Sequence, residues 1–179
     1  MRGVRYATPD DAEALGRIHI AAWQVAYRGQ IPDEYLRGLK VSDRVDLWRR
    51  ALEAGIEPGE AAFEQGKRTA LVIEDEHASI AGFAALGPTS EPAEPGVGEV
   101  RALYVDPELW GRGFGRDLLA AATDELRASG HDRGLLWVLK TNERARRFYE
   151  IAGWHADGRE KSEPREYFAL VQVSYRRRL

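Results

Sequence analysis

Three glycines and two arginines occupy the six positions from Gly111 to Arg116, inside the segment DPELWGRGFGRDLLAAA (residues 106–122). Glycine adopts backbone dihedrals that other residues avoid, so the main chain can approach a ligand closely. The apolar pattern that follows predicts a helix, and the first amides of a helix lack internal acceptors and attract anions. The side chains of Arg112 and Arg116 add positive charge beside those amides. This segment therefore predicts a turn that binds a phosphate-bearing ligand.

A tight structural turn whose arginines face water is the alternative interpretation. Two common phosphate-binding motifs are excluded. The P-loop GxxxxGK[ST] is absent, because no Lys-Ser or Lys-Thr pair follows these glycines and Lys140-Thr141 lacks preceding glycines. The dinucleotide fingerprint GxGxxG would need a glycine where Arg116 stands.

A second motif, LLWVLKTNERARRFYEIAGW, lies further along the chain. Together with RALYVDPELWGRGFGRDLL it resembles the GNAT-type N-acetyltransferases, in which a V-D-P strand end leads into a (Q/R)xxGxG(A) turn and an NxxAxxFYxxxGF/W helix follows. The N-terminal AAWQVAYRGQIPDEYL also looks like a common bacterial branch, so the resemblance covers nearly the whole chain. The chain departs from the pattern at Trp110, which stands at the Gln/Arg position, and there the resemblance implies main-chain contacts alone.

The resemblance implies acetyl-CoA as a co-substrate, and the wide spacing of the histidines predicts no metal site. The amides of the turn would bind the diphosphate, and a strand edge would pair with the pantetheine arm. Asn142 would contact the cofactor at the next helix start, although a plain helix cap accounts for it equally well. The implied cofactor-binding residues are Leu103, Tyr104, Val105, Gly111, Arg112, Gly113, Phe114, Gly115, Arg116, Asn142 and Tyr149.

Acetyl transfer to an amine needs two proton transfers. A lysine-like amine with a pKa of about 10.4 is neutral in roughly one molecule in 10³ at pH 7, so a base must take its proton. Tyr149 stands where the family has its acid tyrosine, with a core aromatic as the alternative. Glu99 matches a glutamate that some members use as the base, directly or through water. The alternative for Glu99 is a solvated carboxylate at a strand start, because a bulge before Val105 would change its direction.

The acceptor pocket is expected among the first helices and the late strands. Trp23, Tyr27, Tyr35 and the loop of residues 91–98 are candidates to line it, and ordinary packing is the alternative for each aromatic residue. The predicted enzyme is an acyltransferase that moves an acetyl group directly to a primary amine of a small molecule or peptide. A non-catalytic acyl-CoA-binding regulatory module is the second hypothesis. A nucleotide-dependent transferase ranks last, since it lacks a P-loop and a carboxylate pair for Mg²⁺.

Hydrophobic periodicity predicts one strand, two or three helices, three strands, a helix, a strand, a helix and two strands. This order predicts a mixed α/β (α+β) sheet of about seven strands with helices on both faces. The strand–helix–strand unit from Glu99 to Lys140 should form a parallel pair. The GNAT-like fold further implies that this pair is splayed. Residues 1–179 are expected to form a single N-acetyltransferase domain.

Composition narrows the function classes. The chain has 179 residues, a formal net charge of −3 and no cysteine, which excludes disulfides and thiolate catalysis and gives no basic footprint for nucleic acid. The four histidines lie far apart without metal-ligand spacing. The first residues lack the apolar core of a signal peptide, and no apolar run reaches membrane-spanning length. A cytoplasmic protein without a membrane partner is therefore expected, and a homodimer is left open.

Overall fold

The computed structural model of the chain describes residues 3–54, 69–89 and 94–179. In these ranges the strands are β1 (Val4–Tyr6), β2 (Thr69–Glu74), β3 (Ile80–Pro88), β4 (Val97–Val105), β5 (Arg133–Leu139), β6 (His155–Pro164) and β7 (Ala169–Arg178). The α-helices in the same ranges are α1 (Ala12–Ala26), α2 (Asp33–Gly38), α3 (Val41–Glu53), α4 (Phe114–Ala128) and α5 (Glu143–Ile151). Short 3₁₀ helices, Pro9–Asp11 and Pro107–Leu109, precede α1 and the glycine turn.

The strands form a seven-stranded sheet in the order β1-β2-β3-β4-β5-β7-β6. Strands β4 and β5 are parallel, whereas the other neighbours are antiparallel. A parallel pair requires a crossover connection, and α4 lies within the connection between β4 and β5. The predicted mixed sheet with its parallel pair is confirmed.

Helices cover both faces of the sheet. Side chains along a strand alternate between the two faces. On β2, Val72 belongs to a buried cluster with Leu15 of α1 and Trp48 of α3. The next residue, Ile73, belongs to another cluster, which contains Leu118 of α4. We call these two sides of the sheet the α1 face and the α4 face.

Strands β4 and β5 pair along only part of their length. The parallel register covers Val97–Val100 and Arg133–Leu136. Beyond that point β4 continues beside β3 as far as Val105, and β5 continues beside β7 as far as Leu139. The two strands therefore diverge and leave a gap between their carboxyl ends, as expected for a splayed pair.

A bulge in β4 lies where the divergence begins. Ala102 is opposite Ala85 and Val100 is opposite Leu86, so Arg101 has no counterpart on β3. A bulge bends its strand and increases the local twist. The bulge at Arg101 therefore explains why β4 turns away from β5 directly after Val100.

Candidate active site

The glycine turn between Pro107–Leu109 and α4 has a left-handed backbone at two positions. The φ angle is 79° at Gly111 and 91° at Gly113. That region costs an L side chain about 1–2 kcal/mol, which explains why glycine stands at both positions. In the part of the chain that the structure describes, four amides of the turn have no protein acceptor: those of Gly111, Gly113, Gly115 and Arg116. The turn thus presents a group of main-chain donors that an anion can accept.

Trp110 anchors the start of the turn. Its indole Nε1 donates a hydrogen bond of 2.8 Å to the carbonyl oxygen of Val105, at the end of β4. The guanidinium carbon of Arg144 lies 3.9 Å from the centroid of the Trp110 ring, which is a cation–π contact. Trp110 therefore ties the turn to β4 and holds a cation from α5 beside it. Sequence reasoning missed this role, although an aromatic residue at the Gln/Arg position was a signal for it.

Main-chain groups of β4 point into the gap between β4 and β5. The amide of Asp106 donates to the carbonyl of Ala81 at 2.8 Å, so Asp106 faces the β3 side of the strand. Main-chain groups alternate in direction along a strand, and those of Leu103 and Val105 therefore face the gap. The Val105 carbonyl already accepts a hydrogen bond from the Trp110 indole. The amide of Val105 and the amide and carbonyl of Leu103 still face the gap. An extended ligand could pair with these groups as an added strand.

The turn, the gap and the C-terminal part of α1 border one cleft with a volume of about 1020 Å³. Its lining includes Trp23 and Arg44 on the α1 face. It also includes Phe114 and Phe148, which pack with the cluster of the α4 face. The cleft therefore passes through the gap and connects the two faces of the sheet.

Most of the predicted cofactor-binding residues lie together in this cleft. Those that line it are Leu103, Tyr104, Val105, Gly111, Gly113, Phe114, Gly115, Arg116, Asn142 and Tyr149. Arg112 differs from the others, because its exposed side chain is not part of the lining and its amide donates to Leu109 at 3.4 Å, so its contact with a cofactor stays a prediction. The turn geometry directs the Arg112 amide back into the protein rather than into the cleft.

Asn142 caps helix α5. Its side-chain oxygen accepts a hydrogen bond of 3.1 Å from the amide of Ala145, and the residue is buried. The capping role considered from the sequence is thus present in the structure. A contact between Asn142 and a cofactor stays a prediction.

Tyr149 lies on α5 and lines the cleft. Its ring centroid is 5.2 Å from that of Phe148 and 6.3 Å from that of Tyr175. Burial, together with the electrostatic influence of Tyr104, raises the pKa of the Tyr149 hydroxyl well above its usual value. The hydroxyl is therefore protonated near neutral pH and can donate a proton or a hydrogen bond in the cleft.

The α1 face of the cleft is aromatic and neutral. The indole Nε1 of Trp23 donates to the Tyr104 hydroxyl at 2.9 Å, and the Trp23 ring meets the Tyr27 ring edge-on at 5.0 Å. Burial raises the pKa of Tyr27 and of Tyr104, so both phenols keep their protons. His19 stacks on Tyr104 at 4.7 Å, and burial together with the charge of Arg44 lowers the pKa of its imidazole to about 3.

The aromatic residues expected in the acceptor pocket do not all line the cleft. Trp23 and Tyr27 line the cleft, but Tyr35 does not. The ring of Tyr35 packs edge-on against Phe168 at 4.9 Å, and a role of Tyr35 in acceptor binding stays a prediction. The predicted loop of residues 91–98 also falls partly outside the described residues, because the structure describes it only from Glu94 onward.

Glu99 lies on the α1 face but not in the lining of the cleft. A Cβ atom on Gly98 would come within 2.6 Å of Leu126 of α4, so Gly98 faces α4 and its neighbour Glu99 faces the other side. The carboxylate is buried and lies 3.8 Å from the guanidinium of Arg101. The bulge foreseen as a complication is real, and the role of Glu99 as a base, directly or through water, stays a prediction.

The described residues contain neither a membrane-spanning helix nor a metal-binding cluster. No helix in that part of the chain is long and apolar enough to cross a membrane. The same residues contain no group of three or more histidine and carboxylate side chains that could hold a metal ion.

Comparisons with known proteins agree with this geometry. The chain is 30% identical over 139 residues to the uncharacterized N-acetyltransferase YuaI of Bacillus subtilis, an alignment that covers 78% of this chain and 72% of YuaI. It is 34% identical over 111 residues to a mycothiol acetyltransferase of Thermobispora bispora, covering 61% of this chain and 34% of that protein. The chain thus spans about a third of that relative's length.

Solved structures show the same fold. The PaiA N-acetyltransferase of Thermoplasma acidophilum, crystallised with coenzyme A, superposes with a TM-score of 0.70 at 17% sequence identity. The superposition covers 100% of this chain and 99% of that chain. The sequence profile of the acetyltransferase (GNAT) family matches residues 34–154, a range that contains β4, the glycine turn and Tyr149. With this match, the YuaI alignment and the splayed sheet, the chain is a member of the GNAT acetyltransferase family.

Proposed function

We propose that this acyltransferase moves an acetyl group from acetyl-CoA directly to a primary amine. The observation that carries the proposal is the gap between β4 and β5, which has unpaired main-chain donors in the glycine turn at one end and Tyr149 beside it. The diphosphate of acetyl-CoA needs several hydrogen-bond donors close together. The thioester of the same molecule needs an opening through the sheet. Relatives named as N-acetyltransferases and a neighbour crystallised with coenzyme A support the choice of donor.

The residues of the cleft fit acetyl-CoA. The amides of Gly111, Gly113, Gly115 and Arg116 would hold the diphosphate, with Arg144 beside them on Trp110. Main-chain groups of Leu103 and Val105 would hold the pantetheine arm. Bound there, acetyl-CoA supplies an activated thioester from which an amine can take the acetyl group as the C–N bond forms and the C–S bond breaks.

The chain's own residues would handle the two protons. The Tyr149 hydroxyl, kept protonated by burial, would give its proton to the departing sulfur. The amine must lose a proton, and the buried carboxylate of Glu99 is the candidate to receive it through a water from the α1 face. Trp23 and Tyr27 would line the acceptor side and exclude bulk water from the transfer position.

The direct test is an assay of the purified protein with acetyl-CoA and a panel of primary amines. The panel contains a polyamine, an aminoglycoside, amino acids and a peptide with a free N-terminus. Free thiol release is followed by absorbance, and the acetylated amine is identified by mass spectrometry. We expect amine-dependent thiol release together with an acetylated product. The matched control is the N,N-dimethyl derivative of each active amine, which cannot form an amide product.

Acetyl-CoA hydrolysis without any acetylated amine would contradict the proposal. Location in the cytoplasm stays a prediction, and the sequence leaves assembly as a homodimer open. Microscopy of a tagged chain in its source cells would test the location, and sedimentation of the purified protein would give the oligomeric state.

A further inference from the structure

We propose that the acceptor carries an anionic group, a carboxylate or a phosphate, which pairs with Arg44 while its amine reaches the gap. This inference rests on the proposed function, because it concerns the acceptor side of the same cleft. It goes further in assigning a charge to the acceptor and a residue that recognises it.

Arg44 lies on the α1 face, which we call the acceptor side because the acceptor amine would bind there. It stands in α3, is partly buried and lines the cleft. Its guanidinium carbon lies 5.9 Å from the centroid of the Trp23 ring. Its charge also lowers the pKa of His19 and counteracts the effect of burial on Tyr104. Arg44 is therefore placed beside the aromatic wall that faces the end of the gap.

The positively charged side chains on the acceptor side do not all have a carboxylate partner. Arg101 has a carboxylate partner in Glu99 at 3.8 Å, and Arg165 has one in Glu163 at 2.7 Å. Arg44 has no carboxylate partner among the residues that the structure describes. The neighbouring His19, Tyr27 and Tyr104 are neutral, so they supply no negative charge.

Arg28 adds a further positive charge to the cleft. It is exposed directly after α1, lines the cleft, and lacks an ion-pair partner within the described ranges. The acceptor side therefore carries an excess of positive charge. An ammonium group without a compensating anion would be repelled there, whereas a carboxylate or phosphate on the same molecule would be attracted.

A partly buried guanidinium against an aromatic wall has lost part of its hydration. A bidentate bond to a carboxylate or phosphate restores the lost hydrogen bonds and fixes the orientation of the bound molecule. The diphosphate of acetyl-CoA does not explain Arg44, because the glycine turn opens α4 on the opposite face of the sheet. Arg116 and Arg144 already supply positive charge at that end of the cleft.

The test compares amines that differ only by the anionic group. One pair is phenylalanine and phenethylamine, and the other is glucosamine 6-phosphate and glucosamine. The value of kcat/KM is measured for each amine with wild-type protein, Arg44→Gln and Arg44→Lys. Arg50→Gln is the matched control, since Arg50 is an exposed arginine on the same helix that does not line the cleft.

We expect the anionic member of at least one pair to be acetylated at least about tenfold more efficiently by the wild type. The Arg44→Gln change should reduce that kcat/KM by about 10- to 100-fold, mainly through KM, and leave the neutral amine within about twofold. Arg44→Lys should restore part of the loss, and Arg50→Gln should have no effect. A preference within the phenylalanine pair would indicate recognition of a carboxylate, and a preference within the glucosamine pair would indicate recognition of a phosphate.

Equal or better use of both neutral amines would overturn this inference and leave the proposed function intact. If no amine is acetylated, the proposed function fails. The inference about Arg44 is then decided by calorimetry, which measures binding of the anionic and neutral amines without acetyl-CoA. Tighter binding of the anionic amine that is lost in Arg44→Gln supports an anion site, and equal binding of both amines overturns it. Circular dichroism confirms folding of each variant, and Arg44→Lys keeps the charge if Arg44→Gln fails to fold.

Discussion

Tyr149 illustrates how the protein sets the chemistry of a single side chain. The hydroxyl lines a cleft, while its ring is packed by Phe148 and Tyr175. Burial raises the pKa, so the group remains a proton donor across the neutral range. The ring contacts place this hydroxyl on the wall of the cleft.

Replacing Tyr149 with phenylalanine removes the proton donor but keeps the ring. General acid catalysis contributes typically 10²–10⁴-fold, so we expect kcat to fall by about a hundredfold in Tyr149→Phe. The Kd of acetyl-CoA, measured by calorimetry, should change by less than about twofold, because no donor of the turn is lost. The control is Tyr167→Phe, an exposed tyrosine outside the cleft. An unchanged kcat in Tyr149→Phe would rule out the acid role.

Among the secondary-structure elements, two local irregularities shape the candidate site. The bulge at Arg101 lies where β4 separates from β5, and the turn with its left-handed positions leaves four amides without a protein acceptor among the described residues. Trp110 joins the two features, because its indole bonds to the end of β4. Neither strand nor helix would form a binding site without these interruptions of regular structure.

Gly111 provides a test of the turn. A Cβ at Gly111 would meet nothing within 4 Å, so its positive φ is the structural reason against an alanine. We expect Gly111→Ala to lower the free energy of unfolding by about 1 kcal/mol, measured by urea denaturation, and to weaken acetyl-CoA binding about fivefold as the turn relaxes. Gly111→Asn should cost less, because asparagine tolerates the left-handed region.

Gly38 supplies the matched control for this experiment. It is also open around its Cβ position, but its φ is not in the left-handed region. Gly38→Ala should leave unfolding and binding nearly unchanged or stabilise the chain slightly. If Gly111→Ala behaves in the same way, the left-handed turn does not contribute to cofactor binding.

At the scale of the whole molecule, distant parts of the chain meet around one cleft. Helices α1 and α3 supply one wall, β4 and the turn supply another, and the hairpin of β6 and β7 contributes Glu163 and Leu170. Binding in the cleft therefore links elements from the first, middle and last parts of the sequence. That residues 1–179 form a single domain stays a prediction, and a ligand's effect on unfolding tests it.

A ligand that binds only the folded chain stabilises it in proportion to the logarithm of its concentration. At a hundredfold excess over Kd, acetyl-CoA should add about 2.7 kcal/mol. For a chain of this size that corresponds to a Tm increase of roughly 5–10 °C in a single transition. ATP at the same concentration is the control, and we expect it to shift Tm by less than about 2 °C. An equal shift with ATP would indicate a nucleotide site in place of an acetyl-CoA site.

Local patterns made much of the architecture predictable. Glycines, a V-D-P strand end and an apolar helix stripe lie close together in sequence, so the turn and α4 could be placed before the structure was known. The order of strands and helices followed from periodicity for the same reason. The places of Tyr35, Arg112 and Glu99 did not follow, since each depends on a contact or an irregularity elsewhere: Phe168, the fold of the turn, and the bulge at Arg101.

The sequence by itself determined the family resemblance, the mixed sheet and the position of the glycine turn, because these depend on residue types and short spacings. The tertiary structure alone decided that Trp110 holds the end of β4 and that Arg44 has no carboxylate partner among the described residues. Contacts of this kind depend on how distant segments pack, which periodicity does not encode. The positive charge on the α1 face likewise depends on the packing of α3 on the opposite side of the sheet from the turn.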